Sequence, residues 1–171
     1  MSRTAIVGID PGLVDTGVVS FTFDTDAKHV GICFAVEPAF TPDSSPHRIA
    51  AWIRGVVPFG QVPHVFIEKY NPRPGMQANT RMQEMERSLM QLLPHAERIN
   101  NMGIKNVITQ QTMELFQVWR FSLSTHHQDL RSAARIALYG AVKDPHLNHL
   151  VADLIGDQSS WSIDVTGGVR L

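Results

Sequence analysis

The 171-residue chain holds a single cysteine, Cys33, so no disulfide can form within it; the residue lies in an apolar stretch, where a buried thiol is expected. Long hydrophobic runs are missing too. None approaches the roughly 20 residues that a bilayer-spanning helix needs, and no membrane partner is expected. Met1–Thr4 lead straight into the first apolar run without the pattern of a secretory signal, which together with the lone thiol points to a reducing, cytoplasmic setting. Neither sign of charge is in excess. Fifteen Lys and Arg against sixteen Asp and Glu leave a net charge of −1, which argues against a strongly basic nucleic-acid binder. No internal repeat and no linker divides the chain, so residues 1–171 read as one domain, with 144–171 as a C-terminal extension.

What is present is a 43% hydrophobic fraction, enough for a sizeable core, and an uneven spread of charge. Residues 1–63 carry a net −2, residues 64–143 a net +4 and residues 144–171 a net −3, so any basic surface for nucleic acid belongs to the middle segment. Residues 4–10, 17–24 and 30–36 predict three strands joined by short polar turns. A Pro- and Ser-rich loop then leads to an amphipathic helix over about 46–56. Val62 to Ile67 is apolar but for His64 and predicts a fourth strand, buried on both sides. Met82, Met85, Leu89, Leu92, Ala96 and Ile99 form a 3-4 stripe, predicting a long helix over about 77–100 with a kink at Pro94. Asn106–Thr109 predicts a fifth strand, followed by a helix over about 111–121.

Thr125 and Gln128 fit a capping box at the head of a helix whose Leu130, Ala133, Ala134, Ala137, Leu138 and Ala141 form a narrow apolar stripe. Small residues there let the helix lie close to a sheet. A short helix over 146–155 comes next, and the last residues are expected to be poorly ordered. Three hairpin-like strands followed by alternating strands and helices make an α/β arrangement.

Three acidic positions stand out against this pattern. The apolar run Ala5–Ile9 ends abruptly in Asp10, after which Pro11, Gly12 and Gly17 turn the chain into a second apolar run. A carboxylate at the end of a buried strand needs compensation for its desolvation; a divalent metal supplies it, and so, more simply, does a role as turn cap. The glycines would leave the hairpin open to a phosphate group. Glu68 ends the run Val65–Ile67 in the same way, and two neighbouring strands each ending in an acid would create a like-charge pair that a cation neutralises. His126 and Asp129 are three apart at a helix start, hence on one face. Read by themselves they are equally a polar first turn, where the helix dipole favours acids.

Gly8-Ile9-Asp10-Pro11-Gly12 with Thr16-Gly17, Phe66-Ile67-Glu68, and His126-His127-Gln128-Asp129 opening an alanine-rich helix resemble, in order and spacing, the motifs of RuvC-type Holliday junction resolvases of the RNase H-like nuclease superfamily. The resemblance implies an α/β RNase H-like fold with a mixed five-stranded sheet flanked by helices. It also implies a Mg²⁺-dependent endonuclease, with Mn²⁺ as substitute, that hydrolyses branched DNA (four-way junctions, forks or flaps) at two metal ions. Asp10, Glu68, His126 and Asp129 would be the catalytic metal ligands. Tyr70, Asn71, Arg73 and Arg81, which follow the second motif, are candidate DNA contacts, although the family's aromatic falls where Asn71 stands and Tyr70 lies one residue earlier. The family's homodimers use the long helix, which makes Met82, Met85, Leu89 and Leu92 the candidate interface. Two other readings compete. An ATP-handling protein of the actin and sugar-kinase type shares the Asp-Gly-Thr-Gly hairpin but duplicates it, and no second copy is present; a catalytically silent binding module of the same fold would not need the acids.

Overall fold

The computed structural model describes residues 3–72, 74–121 and 127–171, with His127 described by its backbone alone. Three strands rich in β-branched and aromatic residues form an antiparallel meander: β1 (Arg3–Asp10), β2 (Asp15–Asp24) and β3 (His29–Pro38). Their register sets Asp10 opposite Gly17 and Val19 opposite Phe34. After helix α1 (Ser45–Val56), strand β4 (His64–Glu68) joins the free side of β1 in parallel, with Gly8 beside Phe66 and Ile9 beside Ile67. Helix α2 (Thr80–Leu92) leads to β5 (Glu97–Ile99), parallel to β4. Helices α3 (Ile104–Val107), α4 (Gln110–Leu115), α5 (His127–Lys143) and α6 (Asn148–Gly156) follow, and β6 (Ser162–Val165) and β7 (Val169–Arg170) close the chain. The strand order is β5-β4-β1-β2-β3-β6, with β7 also on β3.

Alternation along the strands divides the core into two layers. Ile6, Val19, Phe21, Phe23, Ile32, Phe34 and Phe66 face α5 and pack with Leu130, Ala133, Ala137 and Phe116. Val7, Ile9, Val18, Val65 and Ile67 face the other way, onto Ile49 and Ile53 of α1 and Met85 and Leu89 of α2. Because side chains alternate, Asp10 falls on the same face as Ile6 and Gly8, and Glu68 on the same face as Phe66. Both strand-end acids therefore point toward the α5 layer.

Several expectations are corrected. The long helix ends at Leu92, because Pro94 stops it rather than kinking it, and Glu97–Ile99 leave the helical stripe to become the edge strand. With that edge taken, residues 106–109, expected as a strand, supply the end of α3 and Thr109, the N-cap of α4, whose side chain accepts from the Thr112 N–H. Helix α4 stops at Leu115 rather than 121: Gln117 takes a left-handed conformation (φ 58°), and the bonds Gln117 N–H to Glu114 O and Val118 N–H to Met113 O close the end as a Schellman turn. The tail is ordered and carries the sheet from the expected five strands to seven. Its backbone satisfies the outer edge of β3, which would otherwise present unpaired N–H and C=O groups. Cys33 is half-exposed rather than buried, with Sγ 3.0 Å from Thr166 Oγ1.

The stripe on α2 is corrected as well. Met85 and Leu89 are 2% and 0% exposed, engaged with the chain's own sheet, so they offer nothing to a second copy. Met82 is partly buried against the same cluster and Leu92 is exposed. Replacing Leu89 with Asp is accordingly expected to unfold the protein. It forfeits about 1.5–3 kcal/mol of apolar burial and forces an unpaired charge into a dry layer, a large share of the ~5–15 kcal/mol that holds a domain together. Circular dichroism with a urea melt checks this; a cooperatively folded variant would overturn the placement of Leu89.

Candidate active site

The C-terminal ends of β1 and β4 lie side by side, because the two strands are parallel and in register up to Ile9 beside Ile67. The next residue of each is Asp10 and Glu68. The N-terminal turn of α5 lies over the same spot, held there by two glycines. A methyl group built on Gly8 would meet the Ala133 carbonyl oxygen at 2.0 Å and the Ala137 nitrogen at 2.7 Å. One built on Gly17 would meet the carbonyl oxygen and carbon of Asp129 at 2.5 and 2.6 Å. The space that Gly17 leaves is thus filled by the backbone of α5 and is not open to a phosphate, contrary to the sequence expectation. Instead it brings Asp129 to the two strand-end acids.

The electrostatics report the convergence. Asp10 is held well above its ordinary pKa, first by burial, then by a hydrogen-bonding interaction with Glu68 and by the negative charges of Glu68 and Asp129; a hydrogen bond with Ser132 pulls the other way. Glu68 Oε1 accepts a hydrogen bond from Asn101 Nδ2, two residues beyond the end of β5. Neither Asn101 nor Ser132 is among the site residues expected from the sequence. Ser132 carries a signal in hindsight, lying three residues beyond Asp129 on the same helix face, whereas nothing local marks Asn101.

A group of oxygen donors whose central carboxyl is pushed toward its neutral form by burial and by two like-charged neighbours fits a hard divalent cation such as Mg²⁺ or Mn²⁺. As the side chains stand, no three His, Cys, Asp or Glu among the described residues are gathered closely enough to close around an ion. The fourth expected ligand, His126, lies outside the described residues, as does Thr125, its proposed cap.

Of the expected DNA contacts, Arg73 also lies outside the described residues. Arg81 is exposed in the first turn of α2, whose N-cap Asn79 accepts from the Arg81 and Met82 N–H groups. Tyr70 is half-buried; its hydroxyl accepts from the Asn79 N–H at 2.9 Å and its own N–H donates to Glu86 at 3.0 Å. Asn71 is exposed and donates to Asn100 Oδ1 at 3.2 Å. Tyr70 and Asn71 line a small cavity with Pro11, Glu68 and Asn101, so this loop borders the acid cluster.

No protein-family model matches this sequence, and no curated protein is similar to it in sequence. In structure the chain is similar to Thermus thermophilus RuvC. The RuvC structure in complex with a Holliday junction substrate aligns with a TM-score of 0.55 and 13% sequence identity over 90% of this chain and 96% of that one. A second Thermus thermophilus RuvC structure gives the same score and identity over 90% and 97%. The fold is the mixed α/β arrangement of RuvC and the RNase H-like nucleases, a central sheet flanked by helices.

Proposed function

We propose that this chain is a divalent-metal-dependent endonuclease that cleaves branched DNA, with four-way junctions as the leading substrate. The observation that carries this reading is the meeting of Asp10, Glu68 and Asp129 where two parallel strand ends lie under one helix terminus, with the Asp10 carboxyl raised by its neighbours. A solitary turn cap would have no such neighbours. The shared fold with RuvC supports the reading, since that protein is seen bound to a Holliday junction.

Asp10, Glu68, Asp129 and His126 are the residues that would hold two Mg²⁺ ions, for which Mn²⁺ substitutes. When bound, the ions supply an activated water and charge stabilisation at the leaving 3′ oxygen, giving 5′-phosphate and 3′-hydroxyl ends. The protein's own share is arrangement. Adjacent parallel strands fix Asp10 and Glu68 side by side. Asn101 orients Glu68 through Oε1, leaving the carboxylate's remaining lone pairs for a cation. Ser132 interacts with Asp10 by a hydrogen bond that favours its charged form, and α5, rigid and close-packed, sets the position of Asp129. Paired incision of a junction calls for two active sites related by a two-fold axis, so the working unit is a homodimer whose contact surface excludes Met85 and Leu89.

A labelled four-way junction, compared with linear duplex and a flap in Mg²⁺, Mn²⁺ and EDTA, tests the proposal. Metal-dependent nicks near the crossover, ending in 5′-phosphate, are expected. Junction binding without cleavage in either metal would identify a silent binding module instead, and the absence of both would end the nucleic-acid reading.

A further inference from the structure

Beyond the acids, α5 carries two arginines one turn apart, Arg131 and Arg135, and both stack on the same aromatic ring. Their guanidinium carbons lie 4.6 and 5.4 Å from the centroid of Trp119. Trp119 is delivered there by the left-handed turn at Gln117 that ends α4. Like charges four residues apart on a helix repel, and the pairing is kept at a point where Arg135 is also partly buried; burial first, and the charge of Arg131 second, lower its pKa below the ordinary arginine value. Arg135 Nε donates to the Ile108 carbonyl at 3.3 Å. Among the described residues no carboxylate pairs with Arg135. Its side chain lines a groove of about 480 Å³ whose other walls include Glu68, Asn101, Lys105 and Ser132.

The groove is therefore lined both by an acid of the candidate site and by a guanidinium that makes no ion pair with a carboxylate among the described residues. A planar, always-charged fork suits a phosphate oxygen pair better than any neutral ligand. Stacking on Trp119 and the bond to Ile108 hold the fork in place before the ligand arrives, which lowers the ordering cost on binding.

We propose that Arg135, braced by Trp119 and assisted by Arg131, is a phosphate contact that seats the DNA backbone in the groove it lines together with Glu68. This rests on the nuclease reading above and deepens it by naming where the strand lies.

The test measures binding of a fluorescent four-way junction in EDTA, across roughly 50–200 mM salt, by wild type, Arg135→Gln and Arg135→Lys. Thermal melts accompany each variant. The wild type should bind with a steep salt dependence. Arg135→Gln should bind about tenfold more weakly near 0.1 M salt and lose about one unit of slope in log K against log salt. Arg135→Lys, which keeps the charge, should keep the slope. An unchanged slope and affinity in Arg135→Gln would overturn the inference while leaving the nuclease reading intact. So would an equal loss in Gln and Lys variants matched by an equal fall in Tm, which would reduce Arg135 to a packing role. A wild type that does not bind the junction at all would overturn the underlying reading, and this one with it.

Discussion

Asp10→Asn is expected to abolish cleavage and, in metal-free buffer at neutral pH, to raise the melting temperature. Both effects come from one charge. Asp10 sits among Glu68, Asp129 and buried surroundings that lift its pKa, so the folded protein holds that proton to a higher pH than the unfolded chain does. The stabilisation due to protonation is complete below the ordinary aspartate range and is lost as pH rises through the raised value. Above that value the ionised carboxylate is a standing cost, which the amide removes. A divalent cation held by the folded state, as proposed, would remove it too. Wild-type protein should therefore gain melting temperature on addition of Mn²⁺, and Asp10→Asn should gain far less. On the proposed reading the rate of junction cleavage should fall by orders of magnitude, since Asp10 would be one of the residues that hold the metal ions. Near-normal Mg²⁺-dependent cleavage by Asp10→Asn would overturn the role given to Asp10. An unchanged metal response in the melts would show that the ions bind elsewhere.

Methyl groups at the two glycines beneath α5 are expected to have the next-largest effects, and to have different ones. In Gly8→Ala the new carbon would sit 2.0 Å from the Ala133 carbonyl oxygen and 2.7 Å from the Ala137 nitrogen. These are helix backbone atoms at the centre of the core, with no flexible end to swing aside. Overpacking commonly costs about 1–3 kcal/mol, and a contact this short belongs at or beyond the upper end. For a chain of this size that corresponds to a fall in melting temperature of about 10 °C. In Gly17→Ala the clash is with the carbonyl group of Asp129 itself, at the first turn of α5, where a helix end shifts more readily than its middle. Stability should fall less, while cleavage should fall at least tenfold as Asp129 moves off Asp10 and Glu68. Melting curves and single-turnover rates on the same samples separate the two. Wild-type activity in Gly17→Ala would mean that the position of Asp129 does not set the rate.

The sequence by itself determined the three strands of the meander, the buried fourth strand, and the acids at the ends of β1 and β4. These are properties of a window a few residues wide: an apolar run, an abrupt charge, a turn of Pro and Gly. It also determined that Asp129 belongs to the head of a helix with a small-residue face, since helix periodicity is equally local. Only the tertiary structure decided what such windows leave degenerate. The 3-4 stripe through Ala96 and Ile99 is compatible with a helix, and Glu97–Ile99 became a strand because Pro94 broke the helix and the edge of β4 offered backbone partners. Met85 and Leu89 were apolar in either case, and whether they met a second copy or the chain's own sheet depended on which face α2 turned inward. The tail took strand form because β3 had an unsatisfied edge far away in sequence. The partners of the acids, Asn101 for Glu68 and Ser132 for Asp10, and the stacking of Arg131 and Arg135 on Trp119, join segments that no local pattern connects. Chain closure brings them together, and closure is settled by the packing of the whole.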